Sequence, residues 1–88
     1  MTKFSEITNK LEELYNQKNL DYGNSFDKSL SDDGLLVSKI RLTDKINRFS
    51  NLIKTPAKIK EESIEDTLID LANYAIMTIL RLNKNNKQ

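Results

Sequence analysis

The sequence predicts an all-α fold, a small bundle of three to four helices completed by association with further copies. Its 88 residues hold only two glycines and one proline, few for a sheet protein full of tight turns. Three segments carry apolar residues at steps of three and four, the period of an amphipathic helix. The last of these is apolar nearly all round, which expects burial in this chain or against another copy.

The first periodic segment runs from about Lys3 to Lys18. Phe4, Ile7, Leu11 and Leu14 share one face, while Glu6, Lys10, Glu12, Glu13 and Lys18 populate the other. Thr2 or Ser5 is the expected cap, because a side-chain oxygen there can accept from a free N–H of the first turn. The stretch from Leu20 to Gly34 is non-periodic and rich in Gly, Asn, Asp and Ser, so it reads mostly as loop. It leaves room for a short helical turn around Phe26 to Leu30.

The second strong segment covers about Leu35 to Lys54, with Leu35, Leu42, Ile46, Phe49 and Ile53 on one face. Leu36, Ile40 and Leu52 flank that face. Asp32 or Asp33 is the expected cap, and Thr55-Pro56 the stop, since the residue before proline is pushed out of the helical region. A polar linker, Ala57 to Glu61, leads to the third helix, expected over about Ser63 to Leu82. Ser63 and Asp66 have capping-box spacing with Asp in the usual Glu place. Arg81 and Lys84 suit the negative end of the helix dipole. Residues 83–88 read as a frayed tail, so residues 1–88 form one domain with its core over about 3–82.

Charge and residue usage exclude whole classes of chemistry. Charged residues make up 31% of the chain, yet the net charge is only +1, which leaves no single-sign field and argues against a nucleic-acid partner. Without cysteine or histidine there can be no disulfide, thiolate site, histidine acid–base catalysis or common zinc site. A metal would need carboxylates, amides and water, which favours Mg²⁺ or Mn²⁺. The N-terminus lacks a signal-peptide pattern. The apolar run from Leu68 to Leu80 is too short and too polar to span a bilayer, so a soluble, cytoplasmic protein with no membrane partner is expected.

Candidate chemistry gathers on the last two periodic segments. Ile64, Leu68, Leu71, Ala75, Ile79 and Leu82 make one broad apolar face of the third, expected to be buried. Ile69, Ala72, Ile76 and Leu80 spread apolar character to a second side. Against them Asp66, Asp70 and Asn73 line up as a narrow polar stripe, with Glu62 one turn earlier. Asp70 is the only charge between Thr67 and Leu80. Burying a lone carboxylate is costly, so Asp70 needs a cation, a metal or several donors. Arg41, Lys45 and Arg48 on the second segment are its candidate partners. They also read two ways by themselves, as an intrahelical ladder with Asp44 or as a cationic face that meets phosphate. The aromatics of Tyr22-Gly23-Asn24-Ser25-Phe26 either anchor a loop or form a lip where Tyr22 or Phe26 stacks on a base while Asn24 or Ser25 reads its edge.

The succession DYGNSF, GLLVSKIRLTDKINRFSNLIK and ESIEDTLIDLANYAIM, from about Leu20 to Ile79, resembles the phage and bacterial family called nucleotide modification associated domain one. That family is similar to the all-α nucleoside triphosphate pyrophosphohydrolases, the MazG-like and dimeric dUTPase-like proteins. Those enzymes hold Mg²⁺ with E-E-x-x-E on one helix and E-x-x-D on the next. Asp70 matches the closing Asp of the second motif, whereas its Glu position holds Thr67. The first motif is absent: Arg41, Asp44, Lys45 and Arg48 stand on that helix instead.

The resemblance implies a nucleotide-binding protein, phage or prophage encoded, acting as a homo-oligomer in the host cytoplasm. It implies phosphate binding by Arg41, Lys45 and Arg48, base or sugar binding by Tyr22, Asn24, Ser25, Phe26 and Asn73, and Mg²⁺ at Asp66, Asp70 and Glu62. If it is an enzyme, the reaction is Mg²⁺-assisted cleavage of a nucleoside triphosphate to monophosphate and pyrophosphate. The rival readings are a non-catalytic oligomer that sequesters a nucleotide or nucleotide-derived signal against host defence, and a helical protein–protein adaptor.

Overall fold

In the computed structural model, residues 3–19, 24–54 and 60–86 are described, with the side chains of 60–62 and 85–86 left aside. Four helices follow in order: α1 (Phe4–Lys18), α2 (Asn24–Asp33), α3 (Leu35–Leu52) and α4 (Lys60–Asn86). The described residues contain no strand. The all-α expectation holds, and α1 and α3 start and end within two residues of their predicted bounds.

Five local expectations are corrected. The stretch read mostly as loop contains a ten-residue helix, α2. Its Asn, Ser and Asp residues favour turns, but Phe26 and Leu30, one turn apart, bury against Met77 of α4. An i,i+4 ion pair between Lys28 and Asp32 at 2.8 Å adds to it. Neither Asp32 nor Asp33 caps α3, because both still belong to α2, and Gly34 is the N-cap. Gly34 has φ 79°, which only glycine adopts without strain, and this reverses the chain between two helices that share no linker. The Gly34 N–H closes α2 on the Leu30 carbonyl at 2.9 Å, while the Gly34 carbonyl accepts from Val37 N–H at 3.2 Å.

Helix α4 begins at Lys60, a turn before the expected box, and continues through Asn86 into the stretch read as a tail. Ser63 therefore lies inside the helix, where its carbonyl accepts from the Thr67 hydroxyl at 2.8 Å. Helix α1 has Lys3 at its N-cap with no side-chain cap, and Ser5 sits within its first turn. Thr2, Tyr22, Pro56 and the linker residues up to Ile59 lie outside the described residues.

Helix α4 is the central element against which the other three pack. Phe26, Leu30 and Met77 form the core cluster, with Tyr15, Val37 and Tyr74 against it. The rings of Phe26 and Tyr74 meet edge-on with centroids 4.8 Å apart. The side of α4 that the chain buries carries Thr67, Ile69, Asn73 and Met77. The face expected to be buried is not: Leu68 is 40% and Ile79 54% exposed, and Leu71 and Ala75 are only partly covered. Helices α1 and α2 both lie toward the Ile69–Met77 side, and among the described residues the opposite side is left largely uncovered. The radius of gyration, 14.4 Å, exceeds the roughly 12 Å of a compact chain this long, consistent with incomplete self-coverage.

Candidate functional site

Helices α3 and α4 run antiparallel, and a row of polar contacts joins them at helical spacing. At one end the Ser38 and Thr78 hydroxyls are 2.7 Å apart. Thr78 donates its proton to the Tyr74 carbonyl at 2.8 Å, so Ser38 is the donor to Thr78. Two turns on, Lys45 Nζ lies 3.2 Å from Asp70 Oδ2. One turn further, Arg48 Nε donates to Thr67 Oγ1 at 3.1 Å. Thr67 is fully buried and passes its own proton to the Ser63 carbonyl, so it accepts and donates at once.

Asp70 thus finds its partner in Lys45, one of the three cations that spacing offered. The side chains are 26% and 30% exposed, so the pair sits at the lip of the interhelical seam and not inside it. Arg41 and Arg48 flank Lys45 on the same side of α3, and both are exposed. Among the described residues, Asp44 pairs with neither arginine, so the intrahelical ladder does not form. What remains is a strip of Arg41, Lys45 and Arg48 with the exposed Asp44 beside it and the carboxylates of Asp66 and Asp70 across the seam, so what suits an anion there is the exposed guanidinium groups and not a net charge.

The remaining candidates scatter. Asp66 is exposed one turn before Asp70, and the Glu62 side chain and Tyr22 lie outside the described set. No group of three or more acidic, histidine or cysteine side chains stands close enough to hold a metal among the described residues. Phe26 is committed to the core, its ring against Tyr74, so burial removes it from any base-stacking lip. Asn24 and Ser25 are exposed on the first turn of α2, away from Lys45. Asn73 is buried under α1, where its Nδ2 donates to the Leu11 carbonyl at 3.3 Å.

A comparison with known families matches residues 18–82 to the nucleotide modification associated domain 1. The chain belongs to that family. No curated protein and no solved structure matches it.

In this nucleotide modification associated domain the strongest ion pair was not foreseen as an interhelical link. Arg81 grips Asp27 with two parallel bonds, Nε to Oδ1 at 2.8 Å and Nη2 to Oδ2 at 2.6 Å, fastening α2 to the end of α4. Lys84 adds a third charge at 3.8 Å. The Arg81 hydrogen bond, aided by both cations' charges against the cost of burial, holds the Asp27 carboxyl below its ordinary value. Arg81 read as a dipole complement because Asp27 lies 54 residues away in sequence. Thr67 was also passed over, although its place in the motif, where the similar enzymes carry Glu, marked it.

Proposed function

We propose that this domain binds the phosphate of a nucleotide on the cationic strip of α3, with Arg41, Lys45 and Arg48 as donors, and acts as a homodimer. The observation that carries the reading is the Lys45–Asp70 pair beside the exposed Arg41 and Arg48. The pyrophosphohydrolases that the sequence resembles place acids on both helices and bridge them through a metal. Here ammonium meets carboxylate at one such position, and guanidinium meets hydroxyl at the next. The two helices are joined without a metal, Arg41 remains free to fork onto phosphate oxygens, and Arg48 keeps its Nη groups for them while its Nε holds Thr67.

This favours a binder that retains or sequesters its ligand. Hydrolysis is the second reading, and the spacing of Asp66 and Asp70, one turn apart, is what favours it. Mg²⁺ is held by one or two carboxylates when substrate phosphates and water complete its shell. These two side chains would hold it, and the ion would supply charge neutralisation at the phosphoanhydride. Asp70 would first have to leave Lys45.

The dimer follows from the uncovered apolar surface. At about 100° per residue, Leu35, Ile46 and Ile53 fall on the flank of α3 opposite Val37, and Leu68 and Ile79 on the flank of α4 opposite Met77. Both flanks face away from α2, and all five side chains are 40% or more exposed. A two-helix apolar layer of this kind is self-complementary under two-fold symmetry, as an isologous interface requires. Calorimetric titration of nucleoside mono-, di- and triphosphates, with and without Mg²⁺ and followed by product analysis, tests the reading. Metal-free binding that strengthens with phosphate number supports it. Binding and turnover that both demand Mg²⁺ favour hydrolysis, and no binding of any nucleotide overturns both.

A further inference from the structure

The structure holds a second feature that points to a ligand, on the other side of Asp70. Asn73 is 3% exposed, yet its only hydrogen bond among the described residues is the long one to the Leu11 carbonyl. Its Oδ1 and one amide hydrogen have no partner there, although buried amides are paired in nearly all native structures. Asn73 lines a groove of about 330 Å³ between α1 and the C-terminal half of α4. That volume sits at the lower end of the roughly 300–1,000 Å³ of small-molecule sites. Ile76 and Leu80 continue the groove along α4, and Tyr15 of α1 lines it too. Tyr15 and Leu80 are shared with an adjoining cleft of about 180 Å³, which adds Asn19, Asn24 and Lys84.

We propose that this groove takes a planar heterocycle with adjacent donor and acceptor atoms, the edge a nucleobase presents. Ile76, Leu80 and the Tyr15 ring suit a flat ring, Thr8, Asn9 and Glu12 bring polar groups to the α1 wall, and the buried Asn73 amide keeps its Oδ1 and one N–H for the ring's edge. The proposal rests on the nucleotide reading for its ligand class, but not on the phosphate strip. The polar cleft beside it leaves room for a sugar near Asn19 and Asn24. Asn73 thereby becomes a specificity residue, because an edge with two donors or two acceptors side by side leaves its N–H or its Oδ1 unpaired.

Free nucleosides, which carry no phosphate, separate this site from the strip. Uridine, thymidine, cytidine, adenosine and guanosine are titrated into the full chain and followed by ¹H–¹⁵N spectra that include the Asn73 side-chain amide. At least one nucleoside is expected to shift that amide and saturate. Leu80→Trp, a substitution at the half-exposed rim, should weaken it tenfold or more, as should Asn73→Leu. Lys39→Glu, a charge reversal at an exposed position of α3 outside both sites, should leave nucleoside binding unchanged. Should Asn73→Leu fail to fold, Leu80→Trp still decides. Triphosphates that bind while no nucleoside moves Asn73 overturn the groove and leave the strip standing. A Leu80→Trp chain that changes its sedimentation but not its nucleoside response assigns the groove to a second copy and also overturns the proposal.

Discussion

The Lys45 ammonium lies 3.2 Å from the Asp70 carboxylate, one turn along the seam from the Arg48–Thr67 bond. The contact couples the only charge in the middle of α4 to the middle of α3. It also makes Asp70 a competitor for any anion that Lys45 would hold. Changing that one carboxylate therefore alters stability and binding in separable ways.

Asp70→Asn should cost about 1–2 kcal/mol, between the values of exposed and buried pairs. Freed of its counter-charge, Lys45 should hold triphosphate several-fold more tightly without metal. Denaturant melts and calorimetry on the same variant read both effects. If Mg²⁺-dependent binding instead collapses while stability holds, Asp70 is a metal ligand. Unchanged stability together with unchanged binding would put the function elsewhere.

Arg41 makes no ion pair with a described residue and stands exposed, so Arg41→Glu should leave stability within about 0.5 kcal/mol. It should nevertheless lower triphosphate affinity by tenfold or more, and the loss should shrink as salt screens the site. Equal affinity for wild type and variant at low salt would remove the strip from the phosphate site.

Placing a charge on the uncovered face tests the assembly. Ile79→Asp should turn a dimer into a monomer in sedimentation equilibrium while helical circular dichroism is retained, because Ile79 is 54% exposed in the single chain. A wild-type chain that sediments as a monomer at micromolar concentration contradicts the dimer outright.

Gly34 sits at φ 79° and ψ −168°, and a Cβ added there would meet nothing within 4 Å. Any cost of Gly34→Ala is therefore conformational, about 1–3 kcal/mol for a residue forced into that region. Chemical denaturation measures it, and a neutral outcome would mean that the α2–α3 junction relaxes to another geometry.

Asp27 provides the pH dependence. Its folded-state value is depressed by Arg81, so its contribution is present above the ordinary carboxylate value and lost as pH falls through the lower folded one. Asp27→Asn should flatten the acid limb of the stability profile and loosen α2. Parallel acid limbs for the two proteins would show that the Asp27–Arg81 clamp contributes nothing.

Part of the α3–α4 seam was legible because helical periodicity places residues on faces before any folding is known, whereas the other candidates scatter. Asp66, Asp70 and Asn73 were readable as one stripe, and Lys45 as one of three possible partners. Choosing among Arg41, Lys45 and Arg48, which share one face, needed the axial register of α3 against α4. A slide of one turn, about 5 Å, exchanges one cation for another at the same carboxylate. The rotation of α4 about its own axis directs its Thr67–Met77 side inward and leaves Leu68 and Ile79 outside.

The periodicity and scarcity of glycine and proline were enough to determine an all-helical chain, the positions of α1 and α3, and an apolar surplus on α4. Those properties are local, set by backbone hydrogen bonding and the 3.6-residue turn. Tertiary structure alone decided that residues 24–33 form a helix, since their propensity is poor and burial of Phe26 and Leu30, with the Asp27–Arg81 clamp, holds them against α4. It alone paired Asp27 with Arg81 across 54 residues and left the Asn73 amide buried with one weak partner. Such contacts depend on which helix faces meet, and the packing of the whole chain settles that.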